Sequence, residues 1–295
     1  MEKQRVAIIG AGEIGRAIGG ILKSKNIQLE IWDKTPGRIP GQKPLVDIIP
    51  WADFIFLCVP SWAIKEIASD IRNILKRGVV VVSLAKGIEA ETQKTVDEIL
   101  EEILPKTHFA LLSGPMIAEE LSVGKEGVGV VGAKDEKTFD KVKKLFKNTN
   151  LGVEYANDVR GVALAGALKN IYAIGLGIID VLGLGENFKG WFIEEAVKEM
   201  SEIIGILGGK KETAYTAAGL GDLITTGYSL NSRNRQAGED LIKTGKCCLK
   251  SEGMTSFPSL DALLGNKLEK FKLLSALQAV IMQNKKAKMI FGGLL

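Results

Sequence analysis

One charged side chain interrupts a long apolar run near the middle of the sequence. Lys169 lies in AGALKNIYAIGLG, within a stretch from Gly161 to Ile179 that is otherwise almost entirely apolar. Burying an ammonium group is costly unless a partner compensates or the group releases its proton. A desolvated lysine has a lowered pKa and can exchange protons near neutral pH. The run therefore predicts an acid–base lysine; the alternative is a lysine at the rim of a helix whose amine reaches water.

A second concentration of polar side chains follows in GLGDLITTGYSLNSRNRQAG. Its polar members are Asp222, Thr225, Thr226, Ser232, Arg233, Asn234 and Arg235. Arginine presents a planar fork of donors that matches phosphate, and the first amides of a helix add further donors. Two arginines around an asparagine favour a phosphate site over the alternative, a polar loop in which Ser232 caps a helix.

The first residues have the pattern of a nucleotide-binding turn. In RVAIIGAGEIGRAIGGIL, a strand-like run leads into Gly10, Gly12 and Gly15 and then into a helix-like run. The first glycine makes the tight turn, the second admits a pyrophosphate, and the third lets the helix pack closely on the strand. Because the pattern follows a strand and opens a helix, it predicts dinucleotide binding.

The end of the second predicted strand bears on which dinucleotide binds. Asp33 stands 18 residues after Gly15 and could accept hydrogen bonds from the adenosine ribose, which favours NAD. Lys34 and Arg38 follow and could meet a 2′-phosphate. NAD is therefore only slightly favoured over NADP. Lys86, in a loop after another predicted strand, could reach a bound phosphate or carbonyl.

The secondary structure predicted around these residues changes along the chain, from alternating strands and helices to helices alone. Apolar runs predict strands at Arg5–Ile9, Gln28–Trp32, Phe54–Val59, Val79–Leu84, Phe109–Ser113 and Val128–Val131. Helical patterns lie between several of them, and after about residue 157 helical patterns alone remain, at Glu194–Leu207, Arg233–Lys243 and Lys270–Gln283. This organisation predicts an α/β protein: a Rossmann-type, doubly wound, mostly parallel sheet followed by an all-helical domain. We expect a dinucleotide-binding domain at 1–155 and a substrate-binding and catalytic domain at 156–295.

The composition of the chain argues against several classes of protein. The 295 residues are 46% hydrophobic and 25% charged, with a net charge of +4, which is too mild for a nucleic-acid-binding surface. Three cysteines, including the adjacent Cys247 and Cys248, and the single His108 form no metal-binding pattern, so we expect reduced thiols and no metal site. Lys169 and interspersed glycines argue against a membrane span at Gly161–Ile179, and no signal peptide is expected. The chain is expected to be cytoplasmic.

Six motifs resemble the family of NAD(P)-dependent glycerol-3-phosphate dehydrogenases. They are GAGEIG at 10–15, AKGIE at 85–89, SGPMIAEE at 113–120, GALKNIYAIG at 166–175, GLGENFKGWFI at 183–193 and GDLITTGYSLNSRNR at 221–235. They occur in family order across most of the chain. The resemblance implies reversible reduction of dihydroxyacetone phosphate to sn-glycerol 3-phosphate, which supplies glycerophospholipid synthesis.

The resemblance also implies roles for individual residues. Lys169 is expected to be the catalytic acid–base group, supported by Lys86 and Asp222. Expected substrate-binding residues are Lys86, Gly114, Met116, Lys169, Asp222, Ser232, Arg233 and Asn234. Expected cofactor-binding residues are Gly10, Gly12, Glu13, Ile14, Gly15, Asp33, Lys34, Lys86, Ala118, Arg233 and Glu252.

The chain departs from the family at three places. Met116 replaces the usual threonine or serine, Glu13 and Ile14 replace a small–aromatic pair, and the segment 35–51 is short. The C-terminal apolar helices leave a homodimer open. Two alternatives remain open: another two-domain dehydrogenase, of the 3-hydroxyacid or ketopantoate type, or a non-catalytic NAD-binding protein.

Overall fold

A seven-stranded sheet occupies the first half of the chain. The computed structural model describes residues 3–23, 25, 27–245 and 249–295. The strands are β1 Arg5–Ile9, β2 Gln28–Trp32, β3 Phe54–Leu57, β4 Val80–Ser83, β5 His108–Ser113, β6 Gly127–Ala133 and β7 Leu151–Ala156. They lie in the order β2-β1-β3-β4-β5-β6-β7, and all neighbours are parallel except β5 and β6. The order in which strands are added therefore reverses at β1: β2 lies on one side of β1, and β3 to β7 follow on the other side.

Helices connect the strands and then make up the second half. In the sheet region they are α1 Glu13–Lys23, α2 Leu45–Trp51, α3 Ile64–Ile71, α4 Val96–Ile103, α5 Ala118–Ser122 and α6 Glu136–Phe146. Beyond the sheet they are α7 Val159–Leu182, α8 Gly185–Ile206, α9 Asp222–Tyr228, α10 Arg233–Thr244, α11 Glu252–Leu264, α12 Lys272–Ile281 and α13 Ala287–Gly292. The prediction of a mostly parallel α/β sheet followed by helices is confirmed.

Both faces of the sheet are covered because its strands are apolar on both sides. Val6 and Ile8 pack with α1 and α6, whereas Ala7 and Ile9 belong to the cluster that includes α3, α4 and the second half of the chain. This alternation is the period of two of a β-strand. Burial on both faces explains why these strands read as continuous apolar runs.

The helix α7 forms the centre of the second half. Residues 161–179 are buried along its whole circumference, and α8, α9, α10 and α11 all pack against it. Its most apolar 18-residue window has a mean hydropathy of 1.7 and lies entirely inside the protein. Gly177 lets α10 approach closely, because a Cβ there would lie 2.0 Å from the carbonyl oxygen of Arg235.

Candidate active site

The glycine turn between β1 and α1 has the geometry that its sequence predicts. Gly10 has φ of +102°, and a Cβ there would lie 2.5 Å from the carbonyl oxygen of Cys58. A Cβ on Gly15 would lie 1.9 Å from the carbonyl oxygen of Gly10, whereas one on Gly12 would meet no atom of the described residues within 4 Å. The backbone at Gly12 therefore borders open space beside the N-terminus of α1, where a phosphate could approach.

That open space belongs to a cleft of about 1150 Å³ at the carboxyl ends of the central strands. This is the position at which ligands bind open α/β sheets. Predicted site residues on its wall are Gly10, Gly12, Glu13, Ile14, Asp33, Lys34, Lys86, Met116, Ala118, Ser232, Arg233, Asn234 and Glu252. The cleft thus brings the glycine turn together with residues more than 200 positions later in the chain.

Lys169 lies just behind this wall in an ionic cluster. Its Nζ is 3.1 Å from Oδ1 of Asp222, whose Oδ2 is 2.6 Å from Nζ of Lys86. Lys169 and Asp222 are buried, and the Lys86 side chain is 17% exposed. Two cations share one carboxylate, so the cluster carries a net positive charge when all three groups are ionised.

The surroundings of Lys169 tune its proton affinity. Burial lowers the pKa of Lys169 to about 8; the Asp222 carboxylate opposes that effect and the Lys86 charge adds to it. Burial disfavours the ionised form of Asp222, but the two lysines outweigh this and hold its pKa below the ordinary value. The cluster therefore has an ionised carboxylate and an amine that can exchange a proton near neutral pH.

Thr226 connects the buried amine with the cleft, although the sequence alone assigns it no individual role. Lys169 donates to its hydroxyl at 2.7 Å, and that hydroxyl donates to Oδ1 of Asp222 at 3.1 Å. Thr226 also lines the cleft. The signal in the sequence was the spacing of four from Asp222, which places both side chains on one face of α9.

The amide of Asn234 is engaged with the protein. Its Nδ2 donates to Oδ1 of Asn170 at 2.8 Å, and its Oδ1 accepts from the backbone N of Gly253 at 2.8 Å. Asn170 donates in turn to the carbonyl oxygen of Lys86 at 2.9 Å. This chain of bonds ties α10 and α11 to the loop that carries Lys86, so the amide has one N–H left for a ligand.

The two arginines beside Asn234 have different surroundings. Arg233 is exposed on the cleft wall at the first turn of α10, which Ser232 caps through a bond from the backbone N of Arg235. The guanidinium of Arg235 binds Asp180 at 2.8 Å and Glu239 at 3.2 Å, away from the cleft lining. Of the two arginines expected to meet a phosphate, the cleft contains Arg233.

Glu252 joins the two halves of the chain at the cleft. Its carboxylate accepts from the backbone N of Ser61 at 2.9 Å and from the Ser61 hydroxyl at 2.5 Å. Burial raises the pKa of Glu252 despite these bonds. No pattern in the sequence indicates this pair, whose members stand 191 positions apart.

Asp33 faces the glycine turn. Its Oδ2 accepts from the backbone N of Ala11 at 2.7 Å and lies 3.3 Å from Nη1 of Arg38, while its Oδ1 accepts from the backbone N of Thr35 at 2.8 Å. Burial disfavours ionisation, but bonds from Thr35, Ala11 and Arg38 hold the pKa of Asp33 below its usual value. The carboxylate thus braces the turn.

The remaining predicted positions are accounted for as follows. Gly114 has φ of +132° and its carbonyl oxygen accepts from Lys86 at 3.1 Å. His108 lies at the exposed start of β5. Burial raises the pKa of the Cys58 thiol to about 12. Cys247 and Cys248 lie outside the described residues. Among those described, no group of three or more histidine, cysteine, aspartate and glutamate residues is placed to hold a metal ion.

The sheet order, the glycine turn and the cleft define a Rossmann-type nucleotide-binding protein. Residues 34–139 match the N-terminal model of NAD-dependent glycerol-3-phosphate dehydrogenase, and residues 158–292 match its C-terminal model. The chain therefore belongs to the NAD-dependent glycerol-3-phosphate dehydrogenase family.

Individual proteins agree with this assignment. The chain is 36% identical over 265 residues to a glycerol-3-phosphate dehydrogenase [NAD(P)+] of Clostridium acetobutylicum, covering 82% of this chain and 80% of that protein. It is 33% identical over 255 residues to that of Clostridium tetani, covering 79% and 73%. The crystal structure of glycerol-3-phosphate dehydrogenase from Coxiella burnetii has the same fold, with a TM-score of 0.89 at 23% identity over 99% of this chain and 98% of that one.

Proposed function

We propose that this chain is an NAD(P)-dependent glycerol-3-phosphate dehydrogenase, an oxidoreductase that interconverts dihydroxyacetone phosphate and sn-glycerol 3-phosphate. The observation that carries the proposal is the buried Lys169–Asp222–Lys86 cluster behind a dinucleotide-sized cleft. The family match over both halves of the chain supports it. The product would enter glycerophospholipid synthesis.

The residues of the glycine turn fit a dinucleotide. Gly12 leaves its backbone open to the cleft, and α1 begins beside it at Glu13, where the amides of a helix N-terminus suit a phosphate. Glu13, Ile14 and Ala118 lie on the wall around it. When bound, the nicotinamide group supplies or accepts the hydride.

The N-terminus of α10 is the proposed phosphate site of the substrate. Arg233 supplies a guanidinium fork, and the first-turn amides beside Ser232 supply neutral donors. Asn234 is held in this wall by its donation to Asn170 and by the bond that it accepts from the backbone N of Gly253. Holding the phosphate fixes the carbonyl carbon relative to the hydride, which removes much of the entropic cost of reaction.

The ionic cluster supplies the proton and stabilises the negative charge that develops on the substrate oxygen. Lys169 donates a proton to the carbonyl oxygen as the hydride arrives, and its amine is hydrogen-bonded to Thr226, which lines the cleft. Lys86 borders the cleft directly, so its charge stabilises the growing alkoxide. Asp222 keeps both amines in place, the carbonyl oxygen of Gly114 accepts from Lys86, and Met116 lines the cleft.

Initial rates of NADH and NADPH oxidation test the proposal. We expect dihydroxyacetone phosphate to support oxidation at least 100-fold faster than 2-ketopantoate or a 3-keto acid at equal concentration. Preference for a carboxylate substrate would favour another two-domain dehydrogenase. Dinucleotide binding without turnover of any of these carbonyl compounds would favour a non-catalytic protein.

We also propose a domain organisation, a cellular location and an oligomeric state for the protein. Residues 1–155 would form the dinucleotide-binding domain and residues 156–295 the substrate-binding and catalytic domain, in a cytoplasmic protein. The exposed Met282, Met289 and Leu295 near the C-terminus support a homodimer through this region. Light scattering after size-exclusion chromatography would give about twice the 31.8 kDa chain mass for a dimer.

A further inference from the structure

Three residues on one face of α7 meet the residue that carries the second amine of the ionic cluster, Lys86. Asn170 donates to the carbonyl oxygen of Lys86 at 2.9 Å, and Lys169 shares the Asp222 carboxylate with the Lys86 amine. Gly166 stands three and four positions before them, which is the spacing of neighbours on a helix surface. The buried Gly166 therefore lies on the side of α7 that contacts Lys86.

The aliphatic stem of Lys86 crosses α7 at Gly166. A Cβ on Gly166 would lie 3.3 Å from Cγ and 3.4 Å from Cβ of Lys86, and 3.2 Å from Oγ of Ser113. Carbon atoms pack best at about 3.5–4.0 Å, so the missing side chain is what leaves room for the stem. Ser113 is 3% exposed and, among the residues described, its hydroxyl has no hydrogen-bond partner, so it forms a buried wall beside this contact.

A push on the middle of the Lys86 side chain would act at its amine. The backbone end is fixed, because its carbonyl oxygen is bonded to Asn170. The other end is free to rotate about the bonds of the stem, and its Nζ lies 2.6 Å from Oδ2 of Asp222 and 3.1 Å from the carbonyl oxygen of Gly114. A side chain at position 166 would therefore move the amine away from Asp222.

We propose that Gly166 is a positioning residue that acts through Lys86, because its bare stretch of helix surface keeps the Lys86 amine on Asp222 beside Lys169. The catalytic consequence rests on the proposed function. The charged groups that face Lys169 are Asp222 from α9, Lys86 from the loop after β4 and Glu252 from α11. Displacing Lys86 removes a like charge from Lys169 and leaves it the Asp222 carboxylate alone, so the pKa of Lys169 should rise.

The titration of Lys169 tests the proposal without any substrate. The full-length protein would be labelled with ¹³C at the lysine Cε atoms, and NMR spectra would be recorded as the pH is raised. The Lys169 signal is assigned by its absence from the Lys169→Gln variant. We expect a midpoint of about 8 in the wild type, a rise of about half a pH unit in Gly166→Ala, and a larger rise in Gly166→Val.

Two other helical glycines serve as matched controls. Gly190→Ala, on the exposed side of α8, adds a methyl group that would meet no atom of the described residues within 4 Å. Gly175→Ala, on α7 itself, would place its Cβ 2.4 Å from Cζ of Phe192 and so disturbs the packing of α7 at a distance from Lys86. Neither substitution should move the Lys169 midpoint, whereas a rise in Gly175→Ala equal to that in Gly166→Ala would overturn the specific role of Gly166.

The proposal is also overturned if the midpoint is unchanged in Gly166→Ala, and that variant decides alone should Gly166→Val fail to fold. Steady-state rates then connect the position of Lys86 with catalysis: kcat for reduction of dihydroxyacetone phosphate should fall at least fivefold in Gly166→Val, with dinucleotide affinity within threefold of wild type. A wild-type protein that does not reduce this substrate would reject the proposed function, whereas the NMR titration would still decide whether Gly166 positions Lys86.

Discussion

In the proposed mechanism, the chemistry of this protein depends on Lys169. A lysine with an ordinary pKa would hold its proton too tightly to exchange it efficiently near neutral pH. Burial brings the pKa of Lys169 to about 8, and Asp222 prevents a larger fall. The amine is thus charged at pH 7 and still able to give up its proton.

The two directions of the reaction should therefore depend oppositely on pH. In the proposed mechanism, reduction needs the ammonium form of Lys169, whose fraction declines as pH rises through about 8, whereas oxidation needs the neutral amine. We expect kcat for reduction to fall about tenfold per pH unit above that region, and kcat for oxidation to rise through it. Steady-state rates from pH 6.5 to 9.5 measure both, and a flat profile in either direction would contradict the assignment.

Thr226 and Thr225 offer a matched pair of substitutions. Thr226→Val removes the hydroxyl that joins Lys169 to Asp222, whereas Thr225→Val removes one that donates to the carbonyl oxygen of Gly221. We expect kcat to fall at least tenfold in the first variant, with KM for both substrates within threefold, and to stay within twofold of wild type in the second. Equal effects of the two substitutions would remove the special role of Thr226.

At the scale of elements, α11 fastens the helical half to the loops of the sheet. Glu252 holds Ser61, and Ser256 accepts from the backbone N of Ile88 at 2.9 Å. Ser61 is fully buried, so its backbone N depends on this carboxylate. The first turn of α11 therefore fixes one wall of the cleft.

Removing that carboxylate should destabilise the fold measurably. Glu252→Ala leaves the buried Ser61 amide without its acceptor, which costs about 1–3 kcal/mol. Glu101→Ala breaks an exposed ion pair with Lys134 and should cost less than about 1 kcal/mol. Urea unfolding of both variants compares these costs. A loss for Glu252→Ala no larger than that for Glu101→Ala would show that the contact contributes little.

Some elements could be predicted from the sequence and others could not, for physical reasons. β1 and β2 have the predicted bounds, and the four other predicted strands lie within two residues of theirs, because burial on both faces makes their apolar runs continuous. β7 was missed: Gly152 and Glu154 are exposed on this edge strand, and both residue types are depleted in strands.

In the site, likewise, some features can be predicted from neighbouring residues in the sequence, whereas others depend on tertiary contacts. The glycine turn and Lys169 are visible locally, whereas Glu252 and Ser61 meet through the tertiary fold alone. Arg233 and Arg235 look alike in the sequence, but two positions along a helix separate them by about 200°. One therefore faces the cleft and the other faces Asp180.

Across the whole molecule, one hydrophobic core unites the sheet and the helical half. A single cluster of buried side chains extends from β1 and β3 through β5 to α7, α8, α11 and α12. We expect calorimetry to give one cooperative unfolding transition, with equal calorimetric and van't Hoff enthalpies. Two resolved transitions would show that the two halves unfold separately.

The central claim is that the Lys169 amine supplies the proton for reduction of the carbonyl. General acid catalysis contributes about 10²–10⁴-fold to a rate, and Lys169→Ala also removes charge beside the alkoxide. The direct measurement is kcat for dihydroxyacetone phosphate reduction by this variant, with dinucleotide affinity determined by fluorescence titration. The account predicts at least a 10³-fold loss of kcat with dinucleotide affinity within threefold of wild type; a kcat within tenfold of wild type would contradict it.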